Sequence, residues 1–461
     1  MGDIIAMVGR MIGKQLSRWT LAWFAWALCF LIAALGLGVV GLAGPGAWST
    51  GLALAAVHLF ALGWLGMMML GALIQFTPVL CARPVAWPGL ALSALLLTGG
   101  GTAVLAAGFL SLEGWGPGQG LLAAAPVLLA AGFGLAGAML VPTLIAAKGL
   151  AGAEGRMVVL ALIALAGLWA TGTVMAAALA GAGLPVSLPD AMPAHILLGA
   201  GGWLTLAAFG VSYKLFAMFL LAPETDGPLR RAVFGGAGLA LGLTFGGAGL
   251  ALIGRGALPL SLLAALAGAA SAGLYLAETA RLWRSRRRPQ LEVNMRWSRA
   301  ALAFLALSAL LLPAAMLWGG RWAEAAIFLA LAGWLSTLTL AQMVRIVSFL
   351  TWIQIFAPQI GRRPVPLVSD LTDARATGRW LGLWTAGVAG GTAALAMGHA
   401  GGFRLAALAM LLGALGLGRE AWAIRRLRHL DPARRPDRLP PVILPLPFQG
   451  APHDRPRSLR A

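Results

Sequence analysis

Two histidines stand inside stretches that are otherwise almost wholly apolar. His58 opens HLFALGWLGMMMLGALIQFTPVL, and His195 lies near the start of AHILLGAGGWLTLAAFGVSYKLFAMFLLAP. Imidazole is the commonest transition-metal ligand, and a polar group in apolar surroundings is costly unless it is used or hydrogen-bonded. The pair points to a bound metal ion, with hydrogen bonding to a neighbouring helix as the simpler use. Met67, Met68, Met69, Met218 and Cys81 follow further along the same stretches. Thioether and thiol are soft ligands suited to Cu(I). Three consecutive helical residues point in three directions, so only one or two methionines can face one site. Met69 is the candidate, and flexible core filling is the plainer role.

Those side chains need elements to hold them. Of 461 residues, 60% are hydrophobic and 11% charged, with a mean hydropathy of +0.85. A soluble chain of this size cannot bury so much apolar surface, so its solvent is lipid. About 20 apolar residues cross a bilayer. Twelve segments qualify, at 19–43, 50–80, 87–111, 118–147, 156–183, 190–222, 231–254, 258–282, 297–319, 322–354, 378–399 and 402–424. The fold class is an all-α polytopic membrane protein. Residues 1–18 form a lead-in, 19–424 the membrane domain, and 425–461 a basic, proline-rich tail.

The net charge of +19 follows the same pattern. Arg10, Lys14, Arg18, Arg83, Lys148, Arg156, Arg230, Arg231, the RLWRSRRR run at 281–288, Arg362, Arg363 and the tail share one side. Only Arg255, Arg321 and Arg404 fall in short loops on the other. The positive-inside rule then puts both termini in the cytoplasm. The charge reads as topology and attraction to anionic lipid, not as nucleic-acid binding. Cys29 and Cys81 lie at different membrane depths, which argues against a disulfide.

Gly-Trp-Leu occurs at Gly63-Trp64-Leu65, Gly202-Trp203-Leu204 and Gly333-Trp334-Leu335, in spans 2, 6 and 10. Eight positions after each glycine stands Gly71, Gly210 or Ala341, and twelve after it Gln75, Lys214 or Arg345. Three units of four helices account for twelve spans. Gln75, Lys214 and Arg345 would make a polar ring able to bind an anion, or else cations that snorkel to the interface. His58 and His195 fall on equivalent helices, both toward the outer side. His399 lies in the loop after span 11, while His429 and His453 belong to the tail and are expected in solvent.

Three stretches carry a family resemblance: the two quoted above and VRIVSFLTWIQIFAPQIGRRPVPLVSDL. With twelve spans and histidines on spans 2 and 6, the chain resembles haem-copper oxidase subunit I, in particular its divergent oxidase-like and NnrS-like relatives. The resemblance implies a haem or copper ion near His58 and His195. It also implies the bacterial inner membrane, and a role beside a respiratory oxidase or its assembly factors in metal or haem handling or nitric oxide response. Departures from the family are sharp. His58 matches the span 2 haem ligand, but span 10 has no histidine, span 6 lacks His-Pro-Glu-Val-Tyr and span 7 has no histidine pair. The Trp-His-Ala-His-Glu motif is absent too. Oxygen or nitric oxide reduction by the family mechanism cannot be built from these residues. A carrier of a small neutral or anionic solute and a cofactor-free assembly partner are the other readings.

Overall fold

The computed structural model describes residues 19–443, apart from 48, 49, 82, 117, 119, 147–149, 151, 224–226, 438 and 440. The lead-in with Arg10, Lys14 and Arg18, the loop residue Lys148, and the end of the tail with His453 lie outside the described residues. Twelve helices are long and apolar enough to cross a membrane. They are α1 (Thr20–Val39), α2 (Gly51–Cys81), α3 (Pro88–Ser111), α4 (Gly120–Ala146), α5 (Ala153–Leu179) and α6 (Leu188–Leu220). Then come α7 (Pro228–Leu252), α8 (Leu258–Arg284), α9 (Val293–Trp318), α10 (Gly320–Gln359), α11 (Ala374–Met397) and α12 (Ala400–Arg425). No strand occurs among the described residues. The chain is an integral membrane protein, and leucines such as Leu310 and Leu405 sit on its outside, where lipid covers them.

Three helices form the centre. The most apolar window of α10 is 78% buried and those of α2 and α6 are each 61% buried, against 50% or less for the other nine. Around them, α1 packs on α2, α5 on α6 and α9 on α10; α3/α4, α7/α8 and α11/α12 are tight pairs; and α12 closes back on α1. Glycine sets the close approaches. A Cβ at Gly63 would meet the Phe30 side chain of α1 at 2.6 Å, one at Gly202 would meet Ala164 of α5 at 2.6 Å, and one at Gly333 would meet Phe304 of α9 at 3.0 Å. Small residues let membrane helices gain dispersion contact where no hydrophobic drive between helices exists.

Each central helix widens to a π-helix over its Gly-Trp-Leu: Leu59–Gly66, Leu197–Thr205 and Leu329–Ser336. The three π segments touch one another. Trp64 Nε1 donates to Ser336 Oγ at 2.9 Å, and Trp334 Nε1 donates to Thr205 Oγ1 at 3.2 Å. Trp203 completes the circle in position but not in chemistry. Its Nε1 stands 3.9 Å from where a Cβ would sit on Gly66. Gly66, Thr205 and Ser336 each follow their tryptophan by two residues.

Charges near the helix ends are paired, as their burial requires. Glu278 is 3.6 Å from Arg230, which also meets Glu154 at 3.0 Å, and Glu324 accepts from the Gly46 backbone N–H at 3.0 Å. His429 is not loose in solvent as its place in the tail implied. Its side chain is 24% exposed, and its Nε2 lies 2.9 Å from Glu420 Oε1. Glu420 also accepts from the backbone of Asp373, the residue capping α11. The bond to Glu420 raises the His429 pKa above the ordinary imidazole value. Its stabilisation is therefore complete below about pH 6.5 and is lost as pH rises through the raised folded-state value. Thermal unfolding is expected to show a falling Tm across that window, flattened in His429→Gln; equal slopes for the two proteins would contradict the pairing.

Candidate functional site

The side chains of His58 and His195 come together. His58 ends the α-helical first part of α2 and His195 stands just before the π segment of α6. Their ring centroids are 6.3 Å apart, with 36° between the planes, and both residues are partly exposed. His58 Nδ1 is 2.8 Å from the Leu54 carbonyl one turn back. A carbonyl only accepts, so this nitrogen carries the proton. His195 Nδ1 is 3.1 Å from Thr171 Oγ1 of α5. The Thr171 hydroxyl hydrogen is committed to the Gly167 and Leu168 carbonyls, at 2.9 and 3.1 Å. Thr171 therefore accepts from His195, and this Nδ1 also carries its proton. Both Nε2 atoms are then bare lone pairs.

Two acceptors have no hydrogen to share, whereas a cation taking both lone pairs satisfies them. A metal–nitrogen distance of about 2.0 Å, with roughly 1.1 Å from nitrogen to ring centroid, puts two opposed ligating rings about 6.2 Å apart. The 6.3 Å separation of the two rings is compatible with their sharing one metal ion, which His58 and His195 would hold. An Nδ1–H bonded to a carbonyl or hydroxyl is the usual support that fixes the tautomer of a metal-bound histidine. Neighbouring contacts hold the rings in place. Phe109 of α3 lies 4.7 Å from His58, centroid to centroid, and a Cβ at Gly172 would come within 3.0 Å of His195 Cε1.

The other candidates lie elsewhere. Met69 is eleven residues beyond His58 on α2, about 16 Å along the axis at a rise of about 1.5 Å. It lines a small apolar cavity with Met68, Phe76 and Phe216. Met218 is exposed and Cys81 buried, and neither Cys81 nor Cys29 is in a disulfide. His399 is absorbed locally, its Nδ1 accepting from Gly402 N at the start of α12. Among the described residues no group of three or more His, Cys, Asp or Glu is placed to hold a metal ion.

Two of the polar positions at the far ends of the central helices meet residues of neighbouring elements. Gln75 accepts from Thr20 of α1 at 3.2 Å. Arg345 pairs with Glu292 at 3.0 Å and its guanidinium lies 5.4 Å from the Phe219 ring centroid. Lys214 stands partly exposed on α6. Thr171 is the functional neighbour that sequence reading missed, since nothing in the sequence around it links span 5 to His195.

No protein-family model matches this sequence, and no curated protein matches it.

Proposed function

We propose that this chain is a membrane protein on the plan of haem-copper oxidase subunit I that holds one haem or copper ion between His58 and His195 instead of a binuclear centre. The carrying observation is the pair itself: two imidazoles from different helices, 6.3 Å apart, each with Nδ1 committed and Nε2 left as a ligand. Such a group would supply one-electron chemistry. The chain's own residues bind it, fix its orientation and, through Phe109 and the packing at Gly172, limit access to it. A place in the bacterial inner membrane, and work beside respiratory oxidases in copper or haem handling or nitric oxide response, follow from the resemblance. The test is an absorption spectrum with metal analysis of the purified protein. A Soret band, or one copper per chain, supports the reading; a protein lacking both overturns it.

In this proposal the twelve helices are three repeats of four, with both termini cytoplasmic. The recurring π segments, the glycine contacts to α1, α5 and α9, and the recurring helix pairs support the repeat. The one-sided arginines support the orientation. Reporter fusions after residues 115 and 186 are expected outside the cytoplasm, and those after 290 and 430 inside. A reversal at any of them breaks the assignment.

A further inference from the structure

Beside the stretch of α6 that follows His195, a pocket of about 130 Å³ opens among α6, α7, α8, α9 and α10. An apolar cavity of roughly 150 Å³ holds one benzene ring. Its rim includes Ile196 and Leu197, next in sequence to His195, and its inner end is formed by Phe209 and Trp334. The walls are largely alanine and glycine, and no charged residue lines it. A charged ligand would have to shed its hydration with nothing to replace it, so the occupant is neutral.

The polar groups narrow the chemistry further. Four hydroxyls line the pocket, and each has given its hydrogen away. Thr205 donates to the Ala200 carbonyl, Thr244 to Ala240, Ser271 to Val233 and Ser308 to Phe304, at 2.7 to 2.9 Å. The Trp334 indole N–H is spent on Thr205. As placed, the side chains of the pocket offer oxygens that can accept a hydrogen bond, while their own hydrogens are already given to protein acceptors. A ligand carbonyl finds no partner there, whereas a ligand hydroxyl does. The flat alanine and glycine walls and the two aromatic side chains at the inner end favour a ring over a bulky branched body.

We infer that this pocket binds an uncharged, lipid-soluble phenol, taken from the bilayer and held through its hydroxyl hydrogen. Gly201 offers a clean test. It is exposed, it lines the pocket, and a Cβ built on it meets nothing within 4 Å. Gly201→Leu therefore adds apolar bulk at the pocket with no clash at its Cβ. Equilibrium dialysis of the full chain in detergent would use para-hexylphenol and its methyl ether, which keeps the ring and loses the donor. The wild type is expected to take up one phenol per chain and to bind the ether about tenfold more weakly. Gly201→Leu should reduce both to the level of detergent alone, and Ser308→Ala should weaken the phenol by about fivefold, the scale of one lost hydrogen bond. No phenol uptake, equal binding of phenol and ether, or binding untouched by both substitutions would overturn the proposal. If Gly201→Leu does not fold, Ser308→Ala and the ether still decide. Metal content in Ser308→Ala should equal that of the wild type, which keeps this result separate from the fate of the histidine pair.

Discussion

Under the proposed function, alanine at either His58 or His195 is expected to abolish the Soret band or the copper that the purified wild type would carry, at unchanged helix content. One imidazole would not hold an ion alone, and among the described residues no third His, Cys, Asp or Glu joins the pair in a metal-binding group. The loss should exceed the roughly 10–100-fold that removal of a supporting partner costs a metal site. That smaller penalty has its own variant. Thr171→Val keeps the shape of the side chain and removes the acceptor for His195 Nδ1–H. The proton of His195 is then free to move to Nε2, where it blocks the ligand lone pair. Thr171→Ser restores the oxygen and should restore occupancy. His58 has no such handle, because its partner is the backbone of its own helix. A graded series, with alanine lowest, valine intermediate and serine close to the wild type, is the signature of ligation. Full metal content in both alanine variants would reduce the pair to a packing contact.

The helices were legible in the sequence because their cause is local. A run of about 20 apolar residues is long enough to span hydrocarbon whatever surrounds it, and all twelve segments became helices. The largest shift is at the end of α10, which extends to Gln359. The closeness of His58 and His195 was legible for a related reason: each stands a few residues before a Gly-Trp-Leu on one of the central helices, and those segments meet. Gln75 and Arg345 share an offset in sequence, yet Gln75 bonds to Thr20 while Arg345 pairs with Glu292. Glu292 and Thr20 are contributed by neighbouring elements whose positions depend on the whole fold. The π segments were not legible at all. A π-turn differs from an α-turn by one residue of hydrogen-bond register, and the apolar pattern does not record it. In the structure the widened register shows two residues beyond Trp203 and Trp334, where the Thr205 and Ser336 hydroxyls donate five residues back, to Ala200 and Leu331, at 2.7 and 2.8 Å.

That same five-residue register makes Gly66 the most informative position on the central axis. The carbonyl five residues before it, Ala61 O, lies 3.4 Å from where a Cβ would stand, and Trp203 Nε1 lies 3.9 Å away. A serine there can donate to Ala61 and accept from Trp203, as Ser336 does for Leu331 and Trp64. Gly66→Ser is therefore expected to stabilise the protein. A side-chain hydrogen bond between membrane helices contributes about 0.6 kcal/mol on average. Replacing a helical glycine by serine adds about 0.5 kcal/mol. Gly66→Ala separates the two, since alanine is the better helix former but brings no hydroxyl. The opposite change, Ser336→Ala, strands the indole N–H of Trp64, a side chain with no exposed surface, and should cost about 1–3 kcal/mol. Thermal unfolding in detergent, followed by tryptophan fluorescence, should rank Gly66→Ser above Gly66→Ala, and the wild type well above Ser336→Ala. If serine at 66 gains nothing over alanine, Trp203 is not reaching for a partner there. If Ser336→Ala is also neutral, the tryptophan circle contributes packing alone, and the three central helices are held together by their glycines.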